Sequence, residues 1–201
     1  MPDPSSSRHQ LRTALRARRR ALSLEQQSGA ARALLTSITR LPGWPEAQRL
    51  AVYMAADGEI GTGPLADLAR SLHKQLLLPV LVSEKRLVFV EWHRDDTLCG
   101  NQFGIPEPPR ANRHRAVSEL DIIFMPLVGW DREGGRLGMG GGYYDRTLAG
   151  LAGEVLLVGL AHSFQEMNPM TRETWDIPLD FVATDTGLHR CSHRQIPATA
   201  G

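Results

Sequence analysis

At 201 residues, 42% hydrophobic and 22% charged, the chain has the size and balance of one compact domain, and it shows no internal repeat. A formal net charge of +1 excludes a whole-molecule attraction to nucleic acid, and two cysteines without a CxxC pair exclude a disulfide framework or a structural zinc site. No apolar run reaches the ~20 residues of a membrane span, and the basic N-terminal stretch lacks the apolar core of a secretory leader, so a reduced cytoplasmic setting is expected.

Residues 1–7 read as a loose start. From Arg8 to Ala21, Leu11, Leu15 and Leu22 recur with Ala14 and Ala21 at roughly the spacing of one helix face. The charge is concentrated there: residues 1–40 hold eight arginines against Asp3 and Glu25, on a body that is otherwise mildly acidic. Such an arm either grips phosphates or is a solvated helix face. Ser23-Leu24-Glu25-Gln26 has the pattern of a capping box and predicts a second helix to about Arg40. Leu41-Pro42-Gly43-Trp44-Pro45 ends it.

The period then changes. Leu50–Met54 is a short apolar run, predicted as a buried strand, and Gly58–Gly63 is a turn. Pro64 at a first helical position predicts a helix through about Lys74. Leu76–Leu81 is a second strand whose pairing Pro79 complicates, and Leu87–Trp92 a third, hairpin-like. Gly104–Pro109 is a stiff extended segment. Asp121–Val128 is a strongly apolar strand, followed by a glycine-rich loop and a helix from about Tyr143 to Gly150. Val155–Leu160 and Phe181–Ala183 complete the strands, and the tail after His189 reads as untethered. Apolar strands alternating with helices predict an α/β domain with a mainly parallel central sheet. Sites in such sheets lie beyond the carboxyl ends of the strands, which directs attention to residues 57–63 and 129–144.

The second of these loops carries the strongest chemical signal. Arg136-Leu137-Gly138-Met139-Gly140-Gly141-Gly142-Tyr143-Tyr144-Asp145 follows a strand and opens a helix. Glycines let backbone N–H groups converge on an anion, Arg136 adds a fork of donors, and Asp145 is placed to help hold a magnesium ion on a bound phosphate. There is no Walker GK[ST]. By itself the glycine run reads equally well as a flexible turn; the flanking Arg, Tyr-Tyr and Asp favour the phosphate reading. His162-Ser163 has the residue types of a hydrolase, but adjacent residues rarely aim at each other, and no GxSxG elbow is present.

Asp121–Asp131 together with Arg136–Asp145 resembles the signature of the 5-formyltetrahydrofolate cyclo-ligase family. Arg8-His9-Gln10-Leu11-Arg12, Tyr53–Thr62, Phe103–Pro108 and Trp175–Asp180 match in the same order and spacing, so that the resemblance spans about Arg8 to Thr184. It implies a fold of the NagB/RpiA/CoA-transferase-like kind in a single domain, residues 1–201, with 1–7 and about 190–201 as loose tails. It implies an ATP site made by Arg8, His9, Gln10, Leu11 and Arg12 with Arg136 through Tyr144. Met54, Glu59, Phe103 and Met139 to Tyr143 would meet the folate, and Asp145 and Asp176 would hold Mg2+. Glu59 and Tyr144 would be the catalytic groups. Many members of the family carry lysine where this chain has Gly141, which leaves the arginines to neutralise the triphosphate.

The implied reaction closes a ring: the N5-formyl oxygen of 5-formyltetrahydrofolate takes the γ-phosphoryl group of ATP, N10 attacks the formyl carbon, and phosphate leaves 5,10-methenyltetrahydrofolate. Positioning and charge neutralisation matter more here than a protein nucleophile. Glu59 would either orient the formyl-bearing end or handle the N10 proton. The partners would be small molecules only, with neither nucleic acid nor membrane, and the chain a monomer. Two other classes remain to be set against this one. A sugar-phosphate isomerase or CoA-transferase-like enzyme would need a base or nucleophile motif that is not found. A non-catalytic nucleotide- or RNA-binding module would use the Arg12–Arg20 helix, which lacks interleaved aromatics.

Overall fold

A computed structural model describes residues 4–151 and 155–192. Helix α1 (Pro4–Arg20) starts earlier than the sequence suggests and is followed at once by α2 (Leu24–Ile38). The capping box is present: the Ser23 side chain accepts from Gln26 N–H, and the Gln26 side chain accepts from Ser23 N–H. These bonds satisfy N–H groups that a helix start leaves free. Next come β1 (Arg49–Ala51), α3 (Gly63–Ser71) with Pro64 in its first turn, β2 (Gln75–Val82) and β3 (Arg86–Glu91). Three two-residue strands follow: β4 (Cys99–Gly100), β5 (Pro106–Glu107) and β6 (His114–Arg115). The chain continues through β7 (Ile122–Pro126), β8 (Gly129–Trp130), β9 (Arg136–Leu137) and α4 (Tyr143–Leu148). It closes with β10 (Leu156–Ala161), β11 (Phe181–Thr184) and β12 (Leu188–Arg190).

The main sheet runs in the order β12-β11-β10-β7-β1-β2-β3-β6. Its five inner strands, β11 to β2, are mutually parallel, and the flanking pairs β11–β12, β2–β3 and β3–β6 are antiparallel. The expected mainly parallel α/β sheet is therefore present, with antiparallel edges. Alternate residues of the central strands face two cores. Leu50, Ile122, Phe124, Val158 and Leu160 point toward α2 and α3; Ala51, Ile123, Met125, Leu157 and Ala161 point to the face that includes Leu148 of α4. Burial on both faces is why these strands read as unbroken apolar runs. Pro79 is tolerated because β1 ends at Ala51, opposite Leu77, so Pro79 lies where β2 has only β3 beside it.

The C-terminal expectation needs correction. Order does not stop at His189: β12 pairs with β11, Cys191 is buried, and Cys191 N–H donates to Asp180 C=O. A three-residue strand flanked by polar residues has too little periodicity to be seen in sequence. The remainder of the expected tails, residues 1–3 and 193–201, lies outside the described residues.

Candidate active site

The carboxyl ends of β1, β2 and β7 open onto a cavity of about 490 Å³. Met54, Glu59, Phe103, Arg136, Met139, Gly141, Gly142, Tyr143, Tyr144 and Asp145 line it, alongside an apolar wall that includes Leu78, Leu81, Leu87 and Pro126. Ten residues singled out in the sequence thus meet in one place, although they come from three separate segments.

Each arrives there for a local reason. Gly140 and Gly142 have φ of +95° and +65°, a region that side chains strongly disfavour, so the loop after β9 depends on glycine at these positions. Arg146 Nη1 donates to Gly141 C=O at 2.6 Å and pins the loop to the helix that follows. Arg136, 7% exposed, donates through Nη2 to Asp145 Oδ1 at 2.7 Å, and its guanidinium carbon lies 5.6 Å from the Tyr144 ring centroid. Arg136 Nε is buried without a hydrogen-bond partner. Phe103, 60% exposed, meets Tyr143 edge-on at 6.4 Å, and the Asn101 side chain accepts from the N–H groups of Phe103 and Ile105 to hold that loop. The mouth of the cavity is therefore aromatic.

The remaining expected residues lie around this cavity. Arg12 Nε donates to Gly138 C=O at 2.9 Å, joining α1 to the glycine loop. Arg8 pairs with Asp176 at 3.6 Å and donates to Thr171 C=O. Arg8, Gln10 and Leu11 line a second groove of about 1210 Å³ with Phe164 and Met167–Thr171, whereas His9 is exposed and lines neither space. Leu137 packs with Leu15 and Val128, so only its backbone belongs to the loop. Asp176 is outside the main cavity, but the next residue, Ile177, donates its N–H to Asp145 Oδ1 at 3.2 Å, which keeps the two carboxylates in one neighbourhood.

Glu59 is mostly buried. Its Oε2 accepts from Ala56 N–H at 3.1 Å. Burial raises its carboxyl above the usual range, against the pull of the Ala56 bond and the Arg19 charge. Burial also holds the Tyr144 phenol far above its ordinary value, so this hydroxyl is neutral at physiological pH. Sequence reasoning missed Arg19 and Asp57. Arg19 is fully buried, and Asp57 receives Arg16, Arg19 and Arg20 together. The available signal was the arginine spacing in α1, which puts Arg12, Arg16 and Arg19 or Arg20 on neighbouring turns.

A parallel-centred sheet with a glycine-hinged loop, a buried arginine and carboxylates gathered at its carboxyl edge defines the class, a small-molecule enzyme of the α/β type. Residues 4–185 match the model of the 5-formyltetrahydrofolate cyclo-ligase family. The 5-formyltetrahydrofolate cyclo-ligase of Escherichia coli (strain K12) is 39% identical over 174 residues, which cover 85% of this chain and 96% of that protein. The enzyme of the same name from Haemophilus influenzae is 37% identical over 179 residues, covering 87% and 96%. The NMR structure of Aquifex aeolicus 5,10-methenyltetrahydrofolate synthetase, 30% identical, superposes with a TM-score of 0.80 over 96% of each chain. The chain belongs to the 5-formyltetrahydrofolate cyclo-ligase family.

Proposed function

We propose that this chain cyclises 5-formyltetrahydrofolate to 5,10-methenyltetrahydrofolate, consuming ATP and releasing ADP and phosphate. The observation that carries this reading is the single cavity in which an aromatic mouth, the glycine loop and a buried carboxylate meet. Phe103, Met139 and Tyr143 suit a flat ring system at the entrance. The loop from Arg136 to Tyr144, with Arg12 and Arg8 behind it, suits a polyphosphate. The orphaned Nε of Arg136 supports that assignment, since a buried donor without a partner is one that an anion satisfies.

In this reading the formyl oxygen on N5 attacks the γ-phosphorus and ADP departs. N10 then attacks the formyl carbon, N10 loses its proton, and the C–O bond to phosphate breaks. The enzyme aligns the partners and spreads charge without a covalent intermediate of its own. Glu59, with its raised carboxyl, suits either receipt of the N10 proton or orientation of the formyl end. Tyr144 stays neutral and can serve as a hydrogen-bond donor.

Asp145 and Asp176 are a pair of hard oxygen donors, the set that holds Mg2+ when phosphate oxygens and water complete its shell. The residues fit that ion, which when bound neutralises phosphate charge. In this structure the same carboxylates pair with Arg136 and Arg8. The free cysteines, Cys99 and Cys191, suit a reducing cytoplasm, and no helix among the described residues is long and apolar enough to cross a membrane. We place the reaction there, in a monomer acting on small molecules alone. The test is the absorbance of methenyltetrahydrofolate formed from 5-formyltetrahydrofolate: product is expected only with ATP and Mg2+ both present. Folded protein that forms none would refute the proposal.

A further inference from the structure

Arg19 is a fully buried charge beside the cavity, and the reaction scheme above does not use it. It is 0% exposed. Its Nε donates to Asp57 C=O at 2.7 Å, Nη2 to Asp57 Oδ2 at 2.7 Å, and Nη1 to Leu127 C=O at 3.1 Å. Nη1 also lies 3.8 Å from Glu59 Oε1. One side chain therefore joins α1, the turn that carries Glu59, and the segment leaving β7.

The turn is built to fit it. Asp57 has a φ of 53°, unusual for a residue with a side chain. A β-carbon on Gly58 would lie 2.7 Å from Arg19 C=O, so the turn touches the helix backbone directly. Gln27 Nε2 donates to both Arg19 C=O and Gly58 C=O, and His162 Nε2, 3.2 Å away, donates to Gly58 C=O as well. Glu59 thus comes into the cavity on a turn whose other residues are held from three sides.

The charges point the same way. Arg16, Arg19 and Arg20 all reach Asp57. Arg16 and Arg20 also reach solvent, which screens them, whereas Arg19 has no water to turn to and its charge must be answered by protein groups. The groups facing Glu59 are Arg16 and Arg19 from α1, Asp57 in its own turn, and the buried phenols of Tyr53 and Tyr144. Among these, Arg19 is the fully buried cation.

We propose that Arg19 is a positioning residue of the site: it fixes the 57–59 turn and meets the Glu59 carboxyl from 3.8 Å, so that this group is presented to the cavity in one orientation and with a cation behind it. The idea rests on the role given to Glu59 in the proposed reaction, and the two are separable by experiment. Glu59 is titrated by carboxyl-carbon NMR in the protein without nucleotide, in wild type, Arg19→Gln and the exposed control Arg20→Gln. The expected result is a Glu59 midpoint raised by about one pH unit or more in Arg19→Gln and little moved in Arg20→Gln. An unchanged midpoint in folded Arg19→Gln overturns the proposal.

Should Arg19→Gln fail to fold, Arg19→Lys decides. It keeps the charge but cannot hold Asp57 C=O, Asp57 Oδ2 and Leu127 C=O together. A fall in kcat of about tenfold or more, with the KM for ATP within about twofold, supports positioning. An unchanged kcat overturns it. Turnover that survives Glu59→Gln would remove Glu59 from the reaction scheme, while the NMR titration would still judge its coupling to Arg19.

Discussion

A β-carbon on Gly141 would lie 2.8 Å from two ring carbons of Tyr143, so no side chain enters there without moving that ring. The lysine that the resemblance leads one to expect here cannot simply be added. Gly141→Lys is expected to swing Tyr143 off its edge contact with Phe103 and to raise the KM for the folate by about tenfold, roughly 1.4 kcal/mol, with a smaller effect on the KM for ATP. Steady-state kinetics in both substrates would check this; an unchanged folate KM would show that the ring yields at no cost. At this scale the sequence was informative about residue types and silent about neighbours. That Met54, Glu59, Phe103 and the loop residues gather at one cavity was foreseeable, because the matched motifs contain them. Arg19 was not, because one arginine among six in α1 looks like the rest until its burial is known.

The elements show the same division. The period change at Leu50, the capping box at Ser23 and the proline at the start of α3 each act through local chemistry, and each is where the residues predict. The two-residue strands β4, β5, β6, β8 and β9 escaped notice, since pairing across a loop leaves no periodicity in so short a piece. They matter nonetheless: β8 and β9 form the hairpin from which the glycine loop departs, and β4 with β5 frames the Phe103 loop. The capping box offers a clean measurement. Ser23→Ala removes one of its two bonds and is expected to cost about 1 kcal/mol, a fall of roughly 2–4 °C in the melting temperature of a chain of this size. Differential scanning calorimetry would read it, and turnover at 25 °C should be unaffected, because Ser23 lines neither cavity.

For the whole molecule, the junction of α1 with the body is also a pH sensor of stability. Burial pushes the Asp57 carboxyl up, but hydrogen bonds from Arg16, Arg20 and Arg19 outweigh it and hold the group well below its usual range. A carboxyl depressed in the folded state stabilises fully above its unfolded value, about 3.9, and that contribution fades as the pH falls below it. Asp57→Asn is therefore expected to lower the melting temperature clearly at pH 7, with the gap to wild type narrowing below about pH 4. A gap that is constant across pH would mean the cluster contributes shape and no charge. The arm has one more consequence. Arg8, Arg12, Arg16 and Arg20 repeat every fourth residue, and the first turn of α1 carries no acidic residue to offset them. Like charges at that spacing work against an isolated helix. Its carbonyl and carboxylate partners include Gly138, Asp57 and Asp176, all on loops that the sheet must first bring together. Helix α1 is thus expected to be among the last elements to form, waiting on partners that lie 41 residues beyond Arg16 at Asp57 and 126 beyond Arg12 at Gly138.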